Sequence, residues 1–317
     1  MRRLVTSVLA VLALGAVAAC GADSGSNTTS EGLEKINVGI IPTVDVAPLY
    51  LAQEKGIFAE HGLEVELKEV QTGAASTAAV MSGEYQFGFA APVPEIQAQD
   101  KGLPLVVVAG AIAQGEPLSQ AILVKKDSGI KDVSDLAGKS VAVNALQAVN
   151  DLVMRAYVQK EGGNPDDIKF IALPYPDMQA ALDSGRIDAA FLIEPFLSNA
   201  VAAGNSVVVE NPQGALVGDG TTFSTYFATK QYVSEDAATV KKFVDAVTEA
   251  NEYAQENPDE VRKIIPTFTA ISPEVAEKMA LADYETAIDH KTFEVLGKFM
   301  KDFGWIKKEP DLDTLIN

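Results

Sequence analysis

SGRIDAAFLIEPF, residues 184–196, has a counterpart 102 residues upstream in SGEYQFGFAAPVP, residues 82–94. Both open on Ser-Gly and run through an apolar stretch with Phe at the same place, Phe89 and Phe191. Both meet Pro near the end. Glycine ends helices in many proteins, so the pair alone defines nothing. Its neighbours decide whether one structural part is used twice.

From Lys35 onward, strand-like and helix-like segments alternate. KINVGII (35–41) reads as a strand, APLYLAQEKG (47–56) as a helix stopped by Gly56, and LEVELKEV (63–70) as a strand. AASTAAVMSG (74–83) reads as a helix, YQFGFAA as a strand, PEIQAQDKG (94–102) as a helix and LPLVVVAGA (103–111) as a strand. Such alternation predicts a parallel sheet with crossover helices. Shifting by 102 residues reproduces every element in order without a gap, from KSVAVN (139–144) to SVVVE (206–210). Ala78, Ala79, Ser82 and Gly83 face Ala180, Ala181, Ser184 and Gly185. The fold class is therefore α/β, with two lobes of similar design.

QGEPLSQAILVKKDSG (114–129) joins the lobes, and the chain leaves the second through residues 211–225. AILVKK and YFATK are expected to pair as antiparallel crossover strands. The remainder is helical. Residues 234–258 place Val240, Phe243, Val244, Val247 and Ala254 at helical spacing, with Ser234 as the expected N-cap. Ser272-Pro273 opens another helix, and KTFEVLGKFMKDFG (291–304) is the last. These helices are expected to return onto lobe one. The boundaries that follow are lobe one at 35–115 and 226–317, and lobe two with its hinge crossings at 116–225.

The 317 residues are 47% hydrophobic, ample for such cores. Net charge is −19 with 25 Lys+Arg, which excludes nucleic-acid binding through phosphate neutralisation. Ahead of the lobes, MRRLVTSVLAVLALGAVAAC has a basic start and an apolar run too short to span a bilayer. It reads as a signal peptide over 1–19. Val17-Ala18-Ala19-Cys20 resembles a lipobox, and Cys20 is the sole cysteine. By that resemblance Cys20 is the acylated mature N-terminus, with residues 20–34 as a flexible Gly/Ser/Thr tether. The membrane is then met through the lipid anchor only.

In open α/β sheets, ligands bind beyond the carboxyl ends of the strands. Two hinged lobes present those ends to a common cleft. The loops concerned are 42–48, 71–76 and 90–95 in lobe one, and 144–150, 174–177 and 193–196 in lobe two. From these loops the expected ligand-binding residues are Thr43, Asp45, Thr72, Gly73, Ser76, Pro92, Asn144, Gln147, Asn150, Tyr175, Glu194 and Phe196, with Tyr226 near the hinge. The loops contain no Lys or Arg. The ligand expected is a small polar organic molecule that is neutral, cationic or zwitterionic. Asp177 and Glu95 read as solvated helix N-termini, where carboxylates are favoured anyway. Asp45 and Glu194 stay open between that role and ligand contact.

INVGIIPTVDVAPLYLAQEKGIFAEHGLEVEL, GEYQFGFAAP, GRIDAAFLIEPF and the lipobox resemble solute-binding lipoproteins of ABC importers. The branch is the one serving aliphatic sulfonates, taurine, nitrate and thiamine-pyrimidine precursors. The resemblance implies a two-lobe periplasmic-binding-protein fold of type II and ligand capture by lobe closure. It also implies a monomer delivering to an ABC permease with a cytoplasmic ATPase, outside the cytoplasm and without a cofactor. Cleft loops free of cations depart from an oxyanion receptor, nitrate above all. Two other readings stay open: an enzyme on the same fold, of thiamine-pyrimidine or menaquinone type, and a ligand-sensing partner of a membrane receptor. Against an enzyme, His61 and His290 fall outside the cleft loops, and no metal-ligand cluster is apparent.

Overall fold

The structure is a computed structural model that describes residues 32–113 and 119–317. The signal peptide, the lipobox with Cys20, nearly all of the tether and residues 114–118 of the first crossing lie outside the described residues.

Eleven strands are described: β1 Glu34–Ile40, β2 Leu63–Glu69, β3 Phe87–Ala90, β4 Leu105–Ala113, β5 Gln120–Val124, β6 Ser140–Val143, β7 Lys169–Ala172, β8 Ala189–Ile193, β9 Ser206–Glu210, β10 Thr222–Thr229 and β11 Asp283–Tyr284. They form two sheets, in the orders β11-β4-β10-β3-β1-β2 and β7-β6-β8-β5-β9. Strands β4 and β8 are buried along their whole length, as apolar runs are when helices cover both faces of a sheet.

The repeat is present at the level of topology. Reading β1, β2, β3 and β4 against β6, β7, β8 and β9 gives the same strand order. The helices Gly73–Met81 and Tyr175–Asp183 begin and end 102 residues apart. Gly83 and Gly185, just past these helices, sit at φ +80° and +70°, which favours glycine there.

Two expectations are corrected. The sheets are mixed, not purely parallel: β10 runs antiparallel to β3 and β4, and β5 runs antiparallel to β8 and β9. Nor do the crossing segments pair with each other. Each inserts into the sheet of the lobe it enters, at the equivalent position, where it finds hydrogen-bond partners on both sides. Strand β10 starts at Thr222 and lies wholly in the first sheet, so residues 222–225, at the end of the expected crossing, already belong to that sheet.

Beyond β10 the helix expected over 234–258 is two, Lys230–Glu235 and Ala237–Glu256. Asp236 breaks them, and its carboxylate, not Ser234, caps the second by accepting from the Thr239 N–H at 3.2 Å. That long helix does pack on the first sheet, with Phe243 stacked on Phe87 at 3.9 Å. Ser272 caps the helix Pro273–Ala276 as expected. The helix His290–Asp302 differs from expectation. It lies against Pro92–Asp100 of the first lobe and also against Val149–Lys160 of the second, so the C-terminal region spans both lobes. Its buried stripe of Phe293, Leu296 and Met300 joins a core cluster that also holds Leu152 and Val153.

Candidate functional site

A cavity of about 40 Å³ lies where the carboxyl ends of the two sheets meet. All six loops named from the sequence reach it. Thr43 and Asp45 follow β1, Gly73 follows β2, and Ala91 and Pro94 follow β3. Asn144, Ala148, Val149 and Asn150 follow β6, Tyr175 follows β7, and Ile193 ends β8. Of the thirteen expected residues the cavity brings together Thr43, Asp45, Gly73, Asn144, Asn150 and Tyr175. Two contacts bridge the lobes beside it: the Val44 N–H donates to the Glu194 carbonyl at 3.3 Å, and Gln97 Nε2 donates to the Gln147 carbonyl at 2.9 Å.

The other expected residues stand around the cavity in different roles. Thr72 caps the helix that starts at Gly73 by accepting from the Ala75 N–H at 3.2 Å. Ser76 is buried, and its hydroxyl accepts from the Phe89 N–H at 3.2 Å, tying that helix to β3. Pro92 opens the next helix. Gln147 is exposed, with φ +56°. Phe196 stacks on Tyr175 with ring centroids 5.5 Å apart and so holds that ring in place. Tyr226 is fully buried among Phe89 and Phe243, and its hydroxyl has no partner.

Glu194 turns its carboxylate away from the cavity lining. It accepts from the Ser198 N–H at 3.1 Å and the Ser198 hydroxyl at 2.7 Å, capping the helix Phe196–Ala202. Burial pushes its carboxyl up to about 7 despite these bonds.

The reading of Glu95 as a solvated helix N-terminus is overturned. Its side chain is fully buried, with Oε1 2.5 Å from Thr225 Oγ1 and Oε2 unpartnered. Desolvation raises it to about 8, so the protonated acid prevails at neutral pH. The signal for this was positional: Glu95 lies in the first turn of its helix between Val93-Pro94 and Ile96, all of them apolar. Asp177, by contrast, is exposed in the first turn of its helix.

Among the described residues Asp45 is the one carboxylate lining the cavity, and it is 3% exposed. Burial raises its carboxyl to about 6, against the lowering effect of the Ser224 hydroxyl, which donates to Oδ2 at 3.1 Å. Among the described residues no Lys, Arg or His lines the cavity. Ile41, Phe89, Phe223 and Ser224 also line it; Phe223 is an aromatic near the hinge that the sequence offers for stacking on a planar ligand, and it and Ser224 lie off the six loops for a definite reason. Strand β10 is antiparallel, so its amino end stands where its neighbours have their carboxyl ends. Among the described residues no group of His, Cys, Asp or Glu is arranged to hold a metal ion.

Two mixed α/β lobes with a largely apolar cavity between the strand ends, set with a few polar side chains, define a ligand-binding protein of the two-lobe periplasmic type. A family described as NMT1/THI5 like matches residues 43–261, and the chain belongs to that family. It is 27% identical over 257 residues to a putative aliphatic sulfonates-binding protein of Bacillus subtilis, covering 80% of this chain and 76% of that one. It is likewise 27% identical over 227 residues to a taurine-binding periplasmic protein of Escherichia coli, covering 71% and 69%. Among solved structures, the periplasmic aliphatic sulphonate binding protein of Escherichia coli superimposes with a TM-score of 0.73 at 20% identity, over 90% of this chain and 92% of that one. The periplasmic nitrate-binding protein of Synechocystis does so with a TM-score of 0.74 at 18% identity, over 90% and 86%. At these identities the structural matches describe the fold.

Proposed function

We propose that this chain is the extracytoplasmic solute-binding protein of an ABC importer, capturing a small polar organic ligand between its lobes and delivering it to the permease. The observation that carries this reading is the convergence of all six strand-end loops on one interlobe cavity. Relatives named as binding proteins for sulfonates and taurine support it. Binding, not catalysis, fits a cavity whose polar groups are one carboxylate, hydroxyls and amides. The lobe boundaries belong to the same reading, with residues 222–225 given to lobe one. So do Cys20 as a lipid attachment point, residues 1–19 as a signal peptide, anchorage at the outer face of the cell membrane and a monomeric state.

The test is a thermal-shift screen of sulfonates, taurine, aminopyrimidines, nitrate and small amines on the whole chain. One class should raise Tm in proportion to the logarithm of its concentration. Consumption of the compound during incubation would refute a binding-only role. For the anchor, Cys20→Ala should release the protein to the medium; a variant that stays with the membrane contradicts the lipobox reading.

A further inference from the structure

The side chains that line the cavity carry buried acceptors with room for a donor. Three of the five described lining side chains that can donate already do so within the protein; the Tyr175 hydroxyl and the Asn144 amide are the other two. The Ser224 hydroxyl donates to Asp45, the Asn150 amide to the Tyr175 hydroxyl at 3.0 Å, and the Thr43 hydroxyl to the Ile41 carbonyl at 3.4 Å. Acceptors are left over. A carboxylate offers about four lone-pair sites; Asp45 accepts from Ser224, and the Thr43 side chain and its own backbone N–H also bond it, which leaves room for a further donor. Asn144 Oδ1, contributed by the other lobe, is buried without a partner. A buried acceptor without a donor is costly; a ligand that donates to it recovers the cost.

An anionic group in the same place meets the opposite situation. It would sit in a cavity of about 40 Å³ with the Asp45 carboxylate, and among the described residues no lining cation offsets the repulsion. We infer that the recognised end of the ligand is a nitrogen donor, an amine, amidine or ring-amino group, held between the Asp45 carboxylate of one lobe and Asn144 Oδ1 of the other. This rests on the solute-binding reading and sharpens it. Closing the lobes is what brings the two acceptors onto one donor, so recognition and closure are the same event. An anion at the far end of the ligand is compatible with this arrangement; an anion at Asp45 is not. The cavity holds roughly three waters by volume, so the enclosed part of the ligand is short.

Matched compounds test it on the whole chain purified in detergent, by calorimetric titration. Taurine is compared with isethionate, which replaces the amine by a hydroxyl. A 4-aminopyrimidine is compared with its 4-hydroxy analogue, and ethanesulfonate and nitrate serve as anions lacking a donor nitrogen. In parallel, small molecules from a cell extract that the chain retains are released and identified by mass. The expected result is that every tight binder carries a donor nitrogen, and that the amino member of a pair binds at least tenfold more tightly than its hydroxyl partner. Asp45→Asn should remove most of that difference. The inference is overturned if the retained molecule lacks a donor nitrogen, if the hydroxyl or anion-only compounds bind equally well, or if Asp45→Asn leaves the discrimination intact. Should Asp45→Asn fail to fold, the comparison within each pair on the unaltered chain decides alone. A chain that retains nothing from the extract and binds none of the compounds refutes the solute-binding reading itself, and the inference with it.

Discussion

Ser224 Oγ donates to Asp45 Oδ2 at 3.1 Å, joining residues 179 apart in sequence. The bond ties the amino end of an inserted antiparallel strand to the first loop of the fold. It sets the Asp45 carboxylate at the cavity wall and keeps that carboxylate partly satisfied.

Asp45 destabilises the empty protein at neutral pH. Its carboxyl is raised from 3.8 to about 6 by burial, so the folded chain holds the proton more tightly than the unfolded chain. The associated stability is complete below about 4 and lost as pH rises through 6. Asp45→Asn should therefore stabilise the unliganded protein at pH 7.5 by about 1–3 kcal/mol, read by denaturant titration, while weakening capture of an amine. Amine affinity in the unaltered chain should strengthen from pH 5 to 7 as Asp45 ionises. The other groups that sense its charge, the phenols of Tyr175, Tyr226 and Tyr284, are all held above their ordinary value and stay neutral there. A flat affinity profile would remove Asp45 from the ligand contact.

Glu95 acts in the same direction over a wider range. Its carboxyl is raised from 4.5 to about 8, so stability is lost as pH rises through 8. Glu95→Gln, close in shape to the protonated acid, should flatten the decline of Tm between pH 5 and 8.5. At pH 8.5 the variant should be more stable by about 1–3 kcal/mol. Equal slopes for the two proteins would show that Glu95 titrates normally.

Glu194 is expected to matter for stability more than for affinity. Its two bonds to Ser198 cap the helix Phe196–Ala202. Glu194→Ala should cost about 1–2 kcal/mol, as loss of a cap does. Ser198→Ala keeps the backbone half of that cap and should cost less. Ligand affinity, measured by calorimetry, should change less than fivefold in both. A hundredfold loss in Glu194→Ala alone would place the carboxylate on the ligand after all.

Gly73 is constrained by packing. A Cβ built there lies 2.8 Å from Pro94 Cγ and 2.9 Å from Ala90 Cβ, both part of the β3 end of the cavity. Gly73→Ala should force that wall outward, costing about 1–3 kcal/mol as overpacking does, and should weaken ligand capture at least tenfold. Unchanged stability and affinity would mean that the wall yields freely.

The sequence by itself determined the repeat, the alternation of elements and the six loops at the cleft, because these follow from local periodicity and helix stops. The pairing of the 184–196 stretch with 82–94 held as a statement about architecture. Three things required the tertiary structure. The crossing strands look like any short apolar run, and only the sheets show that β5 and β10 insert antiparallel and that β10 delivers Phe223 and Ser224 to the cavity. Carboxylates at strand ends look alike in sequence. The fold buries Glu95 against Thr225, turns Glu194 onto its own helix and leaves Asp45 at the cavity. The last helix was legible as a helix, but not as a bridge between lobes. In each case the deciding quantity is how much water and which partner a side chain meets, and that is set by chain segments distant in sequence.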